Sequence, residues 1–476
     1  MDKTRKSTFA QKAAGALADT QLRDNLRFAT QSLRQKRMAV FDAPEATEAL
    51  RDTGNLLKAG ALTRLPDLLE QLEARCTENG MTVHWAETTD EANRIVLSIM
   101  EKHGARKVVK GKSMVSEEMH FNAFMKEHGK EALETDLGEF IIQLNNEPPS
   151  HIIVPAIHKN RKQIGKIFAD NIPGTTYTED TDILLATARR VLREHYRTAD
   201  IGLSGVNFAV AETGTLCLVE NEGNGRMCTT VPPVHVALMG LEKVVEKLEN
   251  VPPLYRLLCG SATGQRITTY FNMIKGPRQK GEKDGPTEVH LVILDNGRSR
   301  MLGDPQLRRT LQCIRCGTCL NHCPVYTRIG GHAYDATYPG PIGSILMPQL
   351  AGLKAKGELA FASSLCNACS DVCPVKIPIP ELLRRMRDES YLKKGTGVVP
   401  GHGSKRNALE WAIWKGWRYA HTIPLLHWAM LKTLAITGRI LPKVGPLKTW
   451  SRVRTKPVFA KESLKELIRQ EGIRHE

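Results

Sequence analysis

The chain has 476 residues, 41% of them hydrophobic and 25% charged, the make-up of a folded protein with two to four domains. Its net charge of +16 suits acidic partners, but no zinc-finger spacing or RNA-binding aromatic signature accompanies it, so nucleic acid is not expected. The opening MDKTRKSTFAQKAAG is basic but lacks an apolar run of signal length, so export is not expected either.

Residues 1–80 read as helical, with Leu56, Leu57, Leu62, Leu65, Leu68, Leu69 and Leu72 at roughly helical spacing. From residue 81 the texture changes to short apolar runs, MTVHWAE, KVVKG, SHIIVPAI, GVNFAVAE, GTLCLVE and EVHLVILD, each a candidate strand. Between them, SMVSEEMHFNAFMKEHG and TDILLATARRVLREHY carry helical periodicity, the second with Thr181 or Asp182 as a candidate cap. Such alternation predicts an α/β layer on a largely parallel sheet. Thr213-Gly214 between two apolar runs predicts an antiparallel hairpin, so the sheet is expected to be mixed. KGPRQKGEKD, residues 275–284, reads as a surface loop, and the β signal stops after Leu302. Four regions result: a helical segment 1–80, an α/β domain 81–302, a cysteine domain 303–400 and a basic helical region 401–476.

Seven of the eleven cysteines lie within 61 residues. CIRCGTCLNHCP places Cys313, Cys316, Cys319 and Cys323 in a C-x2-C-x2-C-x3-C-P run. Two-residue spacers let three thiolates in one tight loop face one iron–sulfur cubane, and the fourth turns toward a second site. SSLCNACSDVCP repeats the run with Cys366, Cys369 and Cys373 but has Ser363 at the first position. Crosswise sharing predicts Cys313, Cys316, Cys319 and Cys373 on one 4Fe-4S cluster, with Cys323, Cys366 and Cys369 on another. The second cluster's fourth corner is Ser363, one of Cys76, Cys217, Cys228 and Cys259, or no protein ligand, the last giving an open iron or a 3Fe-4S cluster. Gly317 gives the first loop room to turn. Zinc sites pair cysteines without needing this spacing, so zinc is the weaker reading.

The α/β region offers fainter cues. Glu220, Glu222, Gly223 and Gly225 follow a strand, as ligand loops do in open α/β sheets, but no dinucleotide or P-loop pattern is present. Lys110, Lys112 and Ser113 at a strand-to-helix junction would suit an anion. His151, His158 and His235 read as structural. No catalytic residue can be assigned. The last 76 residues carry 15 Lys or Arg against 5 Asp or Glu, and five of the six tryptophans: Trp411, Trp414, Trp417, Trp428 and Trp450. That composition suits an acidic partner or an anionic membrane surface. The longest uncharged run there, Tyr419 to Leu431, is thirteen residues, against about 20 for a spanning helix.

Four phrases together resemble the lactate-utilisation protein B family: ETDLGEFIIQLNNEPPSHIIVPAIHKNR, AETGTLCLVENEGNGRM, CIRCGTCLNHCPVYTRIGGHAYDATYPGPIG and SSLCNACSDVCPVKIP. The resemblance runs from about residue 20 to the end of the chain. It implies a LUD domain similar to the sugar-isomerase and CoA-transferase-like α/β group, followed by an α-helical ferredoxin-type domain. It also implies an iron–sulfur subunit acting with two partner subunits to oxidise L-lactate to pyruvate in the cytoplasm; the basic, Trp-rich tail adds peripheral contact at the inner face of the membrane as an alternative. Serine at the position of Ser363 is usual in that family. On this reading the chain conducts electrons and leaves lactate binding and hydride chemistry to a partner. The rival readings are a redox or iron sensor with an anion-binding α/β domain, and an autonomous oxidoreductase using Glu220 and Glu222.

Overall fold

Leucines at helical spacing shape the start of the molecule. Residues 8–393, 395–405, 407–437, 455 and 464–472 are described in the computed structural model, and the chain divides into two units, Met1–Ser404 and Lys405–Glu476. Four helices lead off, Phe9–Ala18, Thr20–Val40, Pro44–Thr63 and Leu65–Glu78. Leu62, Leu65, Leu68, Leu69 and Leu72 are buried as their spacing predicts, but Leu56 is 70% exposed. The buried face of its helix runs through Gly54, Lys58, Ala61 and Leu62. Leu56, two residues from Gly54, is rotated about 200° away.

Ten strands follow: β1 (Thr82–Ala86), β2 (Lys107–Lys110), β3 (Glu131–Glu134), β4 (Ile201–Gly205), β5 (Phe208–Val210), β6 (Thr215–Glu220), β7 (Val234–Gly240), β8 (Val244–Val245), β9 (Tyr270–Ile274) and β10 (Glu288–Leu294). Six form a sheet ordered β1-β10-β7-β4-β2-β3, parallel throughout. The fold is α/β. Both faces of this sheet are covered, which is why its strands are apolar runs rather than alternating ones. In β10, Val289, Leu291 and Ile293 enter one core, while Val292 and Leu294 enter another.

The mixed pairing belongs to a second sheet, ordered β8-β5-β6-β9. Its β5–β6 hairpin is antiparallel and turns at Gly214, whose φ of +67° a side chain rarely adopts. β8 joins it parallel to β5.

Three local expectations are corrected. SHIIVPAI is irregular rather than a strand: His151 Nδ1 accepts the Ile153 and Val154 amides at 3.0 and 3.1 Å, curling the chain on itself, and Pro155 has no N–H to donate. Asp180, not Thr181 or Asp182, caps the helix Thr181–Arg197, accepting from the Asp182 and Ile183 amides. The segment 113–129 forms two helices, Met114–Glu118 and Phe121–Glu127, broken at His120 with φ +50°.

After β10 come short helices. Thr318–Asn321 and Ala368–Asp371 each carry part of a cysteine motif, and Gly340–Ala351 and Ile379–Tyr391 flank them. Cys316, Cys319, Cys323, Cys369 and Cys373 share one continuous core with the second sheet and the N-terminal leucines.

The second unit contains helices Ala408–Thr422 and Pro424–Thr437, which pack on each other, and Leu464–Gln470. Asn407 caps the first, accepting from the Leu409 and Glu410 amides. Trp411, Trp414, Trp417 and Trp428 are 53–61% exposed. Trp450 lies outside the described residues, as does the helical expectation for 438–454 and 456–463. Among the described residues, no helix is long and apolar enough to cross a membrane.

Candidate metal centre and adjoining cavity

The two cysteine runs fold into the same loop. In the first, Arg315 and Gly317 take φ of +62° and +72° on either side of Cys316; in the second, Leu365 and Asn367 take +56° and +68° on either side of Cys366. A short helix follows each pair. This correspondence sets Ser363 opposite Cys313. At the second left-handed position glycine and asparagine are the residues that tolerate it best. At Gly317 a Cβ would also come within 3.0 Å of His151 Cε1.

Cys313, Cys316, Cys319 and Cys373 line one cavity of about 20 Å³ together with Pro374, Val375 and Ile377. Cys323, Cys366 and Cys369 form a second group whose charges interact, and Cys319 interacts with Cys369 across the two. Cys373 thus lies with the first motif's thiols and Cys323 with the second's. Backbone amides reach the sulfurs: Arg315 N donates to Cys313 Sγ at 3.4 Å, Tyr326 N to Cys323 Sγ at 3.5 Å and Ile377 N to Cys373 Sγ at 3.3 Å. Such donors tune a metal site's potential.

Burial, then repulsion from Cys323 and Cys366, pushes the Cys369 thiol up to about 12. Burial pushes Cys373 up to about 11 and carries Cys316 and Cys319 well above the ordinary thiol range. Thiols packed this way ionise only when a metal takes the place of their protons. Among the described residues, no three cysteine sulfurs lie within 4.8 Å of one another. A tetrahedral zinc with Zn–S of about 2.3 Å would hold them about 3.8 Å apart. The donor set fits a larger, multi-iron group.

The surroundings of the two groups differ. Arg37, Arg51, Lys58, Lys243 and Arg315 all lie within electrostatic reach of the first group. In the second, Cys366 is exposed. Nearby, Ser363 Oγ accepts the Leu365 amide at 3.1 Å, and its carbonyl accepts Arg387 Nη2 at 2.8 Å. The other four cysteines are all buried. Cys76 donates to the Gly214 carbonyl, Cys217 lies in β6, Cys228 meets Thr135 Oγ1 at 3.4 Å and Cys259 sits on the helix Val251–Ala262.

Residues distant in sequence clamp the cysteine loops. From the N-terminal helices, Arg51 Nε donates to the Cys373 carbonyl at 3.0 Å, Asn55 Nδ2 to the Val375 carbonyl at 2.8 Å and Arg37 Nη2 to the Val372 carbonyl at 3.3 Å. From the irregular 150–157 segment, the Ser150 carbonyl accepts Tyr326 Oη at 2.6 Å, and His151 Nε2 pairs with Asn321 Oδ1 at 3.1 Å.

Behind the first group, a buried charge network reaches into the α/β sheet. Glu242, just past β7, takes Arg298 Nε at 2.6 Å and Arg315 Nη2 at 2.9 Å, and its carbonyl takes Lys58 Nζ at 2.5 Å. Arg298 also makes a bidentate pair with Glu118 at 2.9 Å on both arms. Tyr338 Oη donates to Glu118 Oε2 at 2.9 Å, and Arg315 lies over the Tyr338 ring. Burial opposes the Glu242 charge, but Arg298 and Arg315 hold its carboxyl down at about 2.

Arg315 and Tyr338 also wall a cavity of about 360 Å³ at the carboxyl ends of β2, β4 and β7, the usual ligand position in open α/β sheets. Lys112, Glu220, Glu222 and Lys243 line it as well. Lys112 is engaged by Asp136 at 2.7 Å and by the Ile153 carbonyl at 2.8 Å. Glu220 accepts the Gly225 and Arg226 amides at 2.6 and 2.7 Å, so it braces the loop. Burial, with the Asp136 charge, pushes the Glu222 carboxyl up. Lys110 serves no ligand, being fully buried between Glu117 and Glu134 at 2.7 and 2.6 Å, and Ser113 caps the next helix.

The three histidines are structural, as expected. Burial lowers His151, His158 and His235 to about 4, which leaves them neutral near pH 7. Sequence reasoning passed over Glu242 and Lys243. A charged pair one residue past the apolar strand VHVALMG, and an arginine inside the tight loop CIRC, were the available signals.

Three known families match the chain: the LUD domain over residues 69–294, the 4Fe-4S dicluster domain over 309–377, and the C-terminal region of lactate utilisation protein B over 385–473. The chain is 40% identical to lactate utilization protein B of Bacillus pumilus, with 97% of each chain aligned. It is 40% identical to that of Bacillus licheniformis, over 96% of this chain and 95% of the relative. It is also 39% identical, over 98% of each chain, to YkgF of Escherichia coli (strain K12), described as an uncharacterized electron transport protein.

Proposed function

The chain belongs to the lactate utilization protein B family and is an iron–sulfur protein of lactate utilisation; from that premise we propose that it carries the electrons in a multi-protein oxidation of L-lactate to pyruvate. The reading assigns Cys313, Cys316, Cys319 and Cys373 to one 4Fe-4S cluster, and Cys323, Cys366 and Cys369 to a second. Bound iron–sulfur clusters accept and release single electrons, and two adjoining sites suit a reaction that yields two. The observation that supports the reading is that Cys373 lines one cavity with Cys313, Cys316 and Cys319, while Cys323 groups with Cys366 and Cys369. Family membership and the electron-transport description of a full-length relative support it.

The chain's own residues would do three things. The left-handed loops aim thiolates inward, the amides of Arg315, Tyr326 and Ile377 support the sulfurs, and buried cations offset negative charge at the first site. Exposed Cys366 marks the edge nearest solvent, where an electron-exchanging partner would dock. Two partner subunits complete this reading. The basic unit with its exposed tryptophans would contact an acidic partner or an anionic membrane surface from the cytoplasm, which salt-sensitive flotation with anionic liposomes tests.

The deciding experiment is anaerobic purification with iron, sulfide and low-temperature EPR measurements. About eight irons with two interacting reduced signals are expected for two 4Fe-4S clusters, with Ser363 or an outside ligand at the fourth corner. About seven irons and an oxidised signal of three-iron type would place a 3Fe-4S cluster at the second site. Zinc without sulfide would refute the reading.

A further inference from the structure

We propose that the cavity at the carboxyl ends of β2, β4 and β7 is a binding site for a short monocarboxylate, a 2-hydroxy or 2-oxo acid, held by Lys243 and Arg315 beside the first cysteine group. The choice of acid rests on the function proposed above, because the geometry alone asks only for a small organic anion. The inference departs from the sequence reading, which left substrate binding to a partner.

The cavity, at about 360 Å³, is at the small end of ligand sites. Its polar groups fall into two kinds. Lys112 and Glu220 are already engaged, by Asp136 and by the Gly225 and Arg226 amides. Two cations retain unused donors. Arg315 is 6% exposed and gives Nη2 to Glu242, but its buried Nη1 has no partner. Lys243 is 8% exposed, and among the described residues no hydrogen bond or ion pair engages its ammonium.

Arg315 Nη1 is out of water without a partner, which costs stability. That donor persists most readily where a ligand supplies the missing acceptor, and the planar arginine fork matches a carboxylate. Val206, Leu218 and Leu258 give the same cavity an apolar wall suited to a short alkyl group. Lys243 also lies within electrostatic reach of Cys313, so an acid held there sits next to the first cysteine group. The competing explanation is that both cations merely balance the negative charge of a bound cluster.

The test uses the full chain, purified anaerobically and titrated calorimetrically with pyruvate and with L-lactate, alongside Lys243→Gln and Lys243→Arg. Saturable binding is expected in the wild type, roughly 10- to 100-fold weaker in Lys243→Gln after loss of a charge-assisted contact, and largely restored in Lys243→Arg. Tm is expected to hold or rise in Lys243→Gln, the opposite of what loss of a structural residue would give. Absence of saturable binding of either acid to the wild type would overturn the proposal. So would a Lys243→Gln protein that binds pyruvate normally and shows only an altered EPR signal, which would assign the cation to charge balance. Iron and sulfide are assayed on the same samples. Full iron without binding removes the site and leaves the electron-carrier reading standing; binding that depends on Lys243 upholds the site whatever the iron content.

Discussion

Glu242→Gln isolates the charge network that joins the α/β sheet to the first cysteine loop. The substitution keeps the side chain's shape and removes a charge that Arg298 and Arg315 hold at close range. The native carboxyl sits at about 2 against an ordinary 4.5. At about 1.4 kcal/mol per pH unit, that difference corresponds to about 3 kcal/mol of stability near neutral pH. Removal of one partner from a buried ion pair costs about 3–5 kcal/mol by a separate argument, so the two routes agree. For the unit Met1–Ser404, unfolding entropy of about 2.1 cal/mol/K per residue converts this loss to a drop in Tm of roughly 4 °C. Because the folded pKa is depressed, the contribution is complete above pH 4.5 and is lost as pH falls toward 2. The gap between wild type and variant should therefore be constant from pH 8 to 5, and then shrink. Differential scanning calorimetry on both proteins at matched iron content measures it. A variant within 1 °C of wild type at pH 7 would show that the two arginines find equivalent partners, and the network argument would be wrong.

Gly317→Ala places a side chain at φ +72°, 3.0 Å from His151 Cε1, and is expected to cost about 1–2 kcal/mol, read as a lower Tm and reduced iron occupancy. At the corresponding position, Asn367→Gly should retain its iron. Cys369→Ser and Cys316→Ser should each leave about four irons on the untouched site of a two-cubane protein, as iron assay with EPR would report; loss of all iron from both variants would contradict separate sites. Acid should weaken the fold through buried histidines. His151 and His235 sit at about 4 against an ordinary 6.5, so the unfolded chain takes up their protons first. Stability is complete above pH 6.5 and should fall by about 1.4 kcal/mol per pH unit for each of them down to pH 4. A Tm that stays flat from pH 6.5 to 5 would contradict this.

The strands read most easily were those buried on both faces or closed by a glycine turn, such as β10 and the β5–β6 hairpin. Local composition suffices there, because burial and turn geometry leave few alternatives. β3 and β4, as EALE and IGLSG, carry weak local signals, and their neighbours β2 and β7 define them. SHIIVPAI misled for the converse reason. Its apolar residues suit a strand, but His151 satisfies the local amides and commits the segment to holding Tyr326 and Asn321.

The iron–sulfur character was legible in the sequence alone, because a thiolate loop is local: two-residue spacers, a left-handed residue and a following proline form it without help from the rest of the chain. The grouping of Cys373 with the first run's thiols and of Cys323 with the second's was also the expectation from spacing. Only the tertiary structure decided what surrounds those thiols. Lys58, Glu242, Lys243 and Arg298 come from segments separated by up to 240 residues, and no periodicity links them. What brings them together is the high cost of burying a charge alone, which is met by whichever opposite charge the fold delivers to the same place. At Lys243 the fold delivers the Glu242 charge nearby but, among the described residues, no direct hydrogen bond.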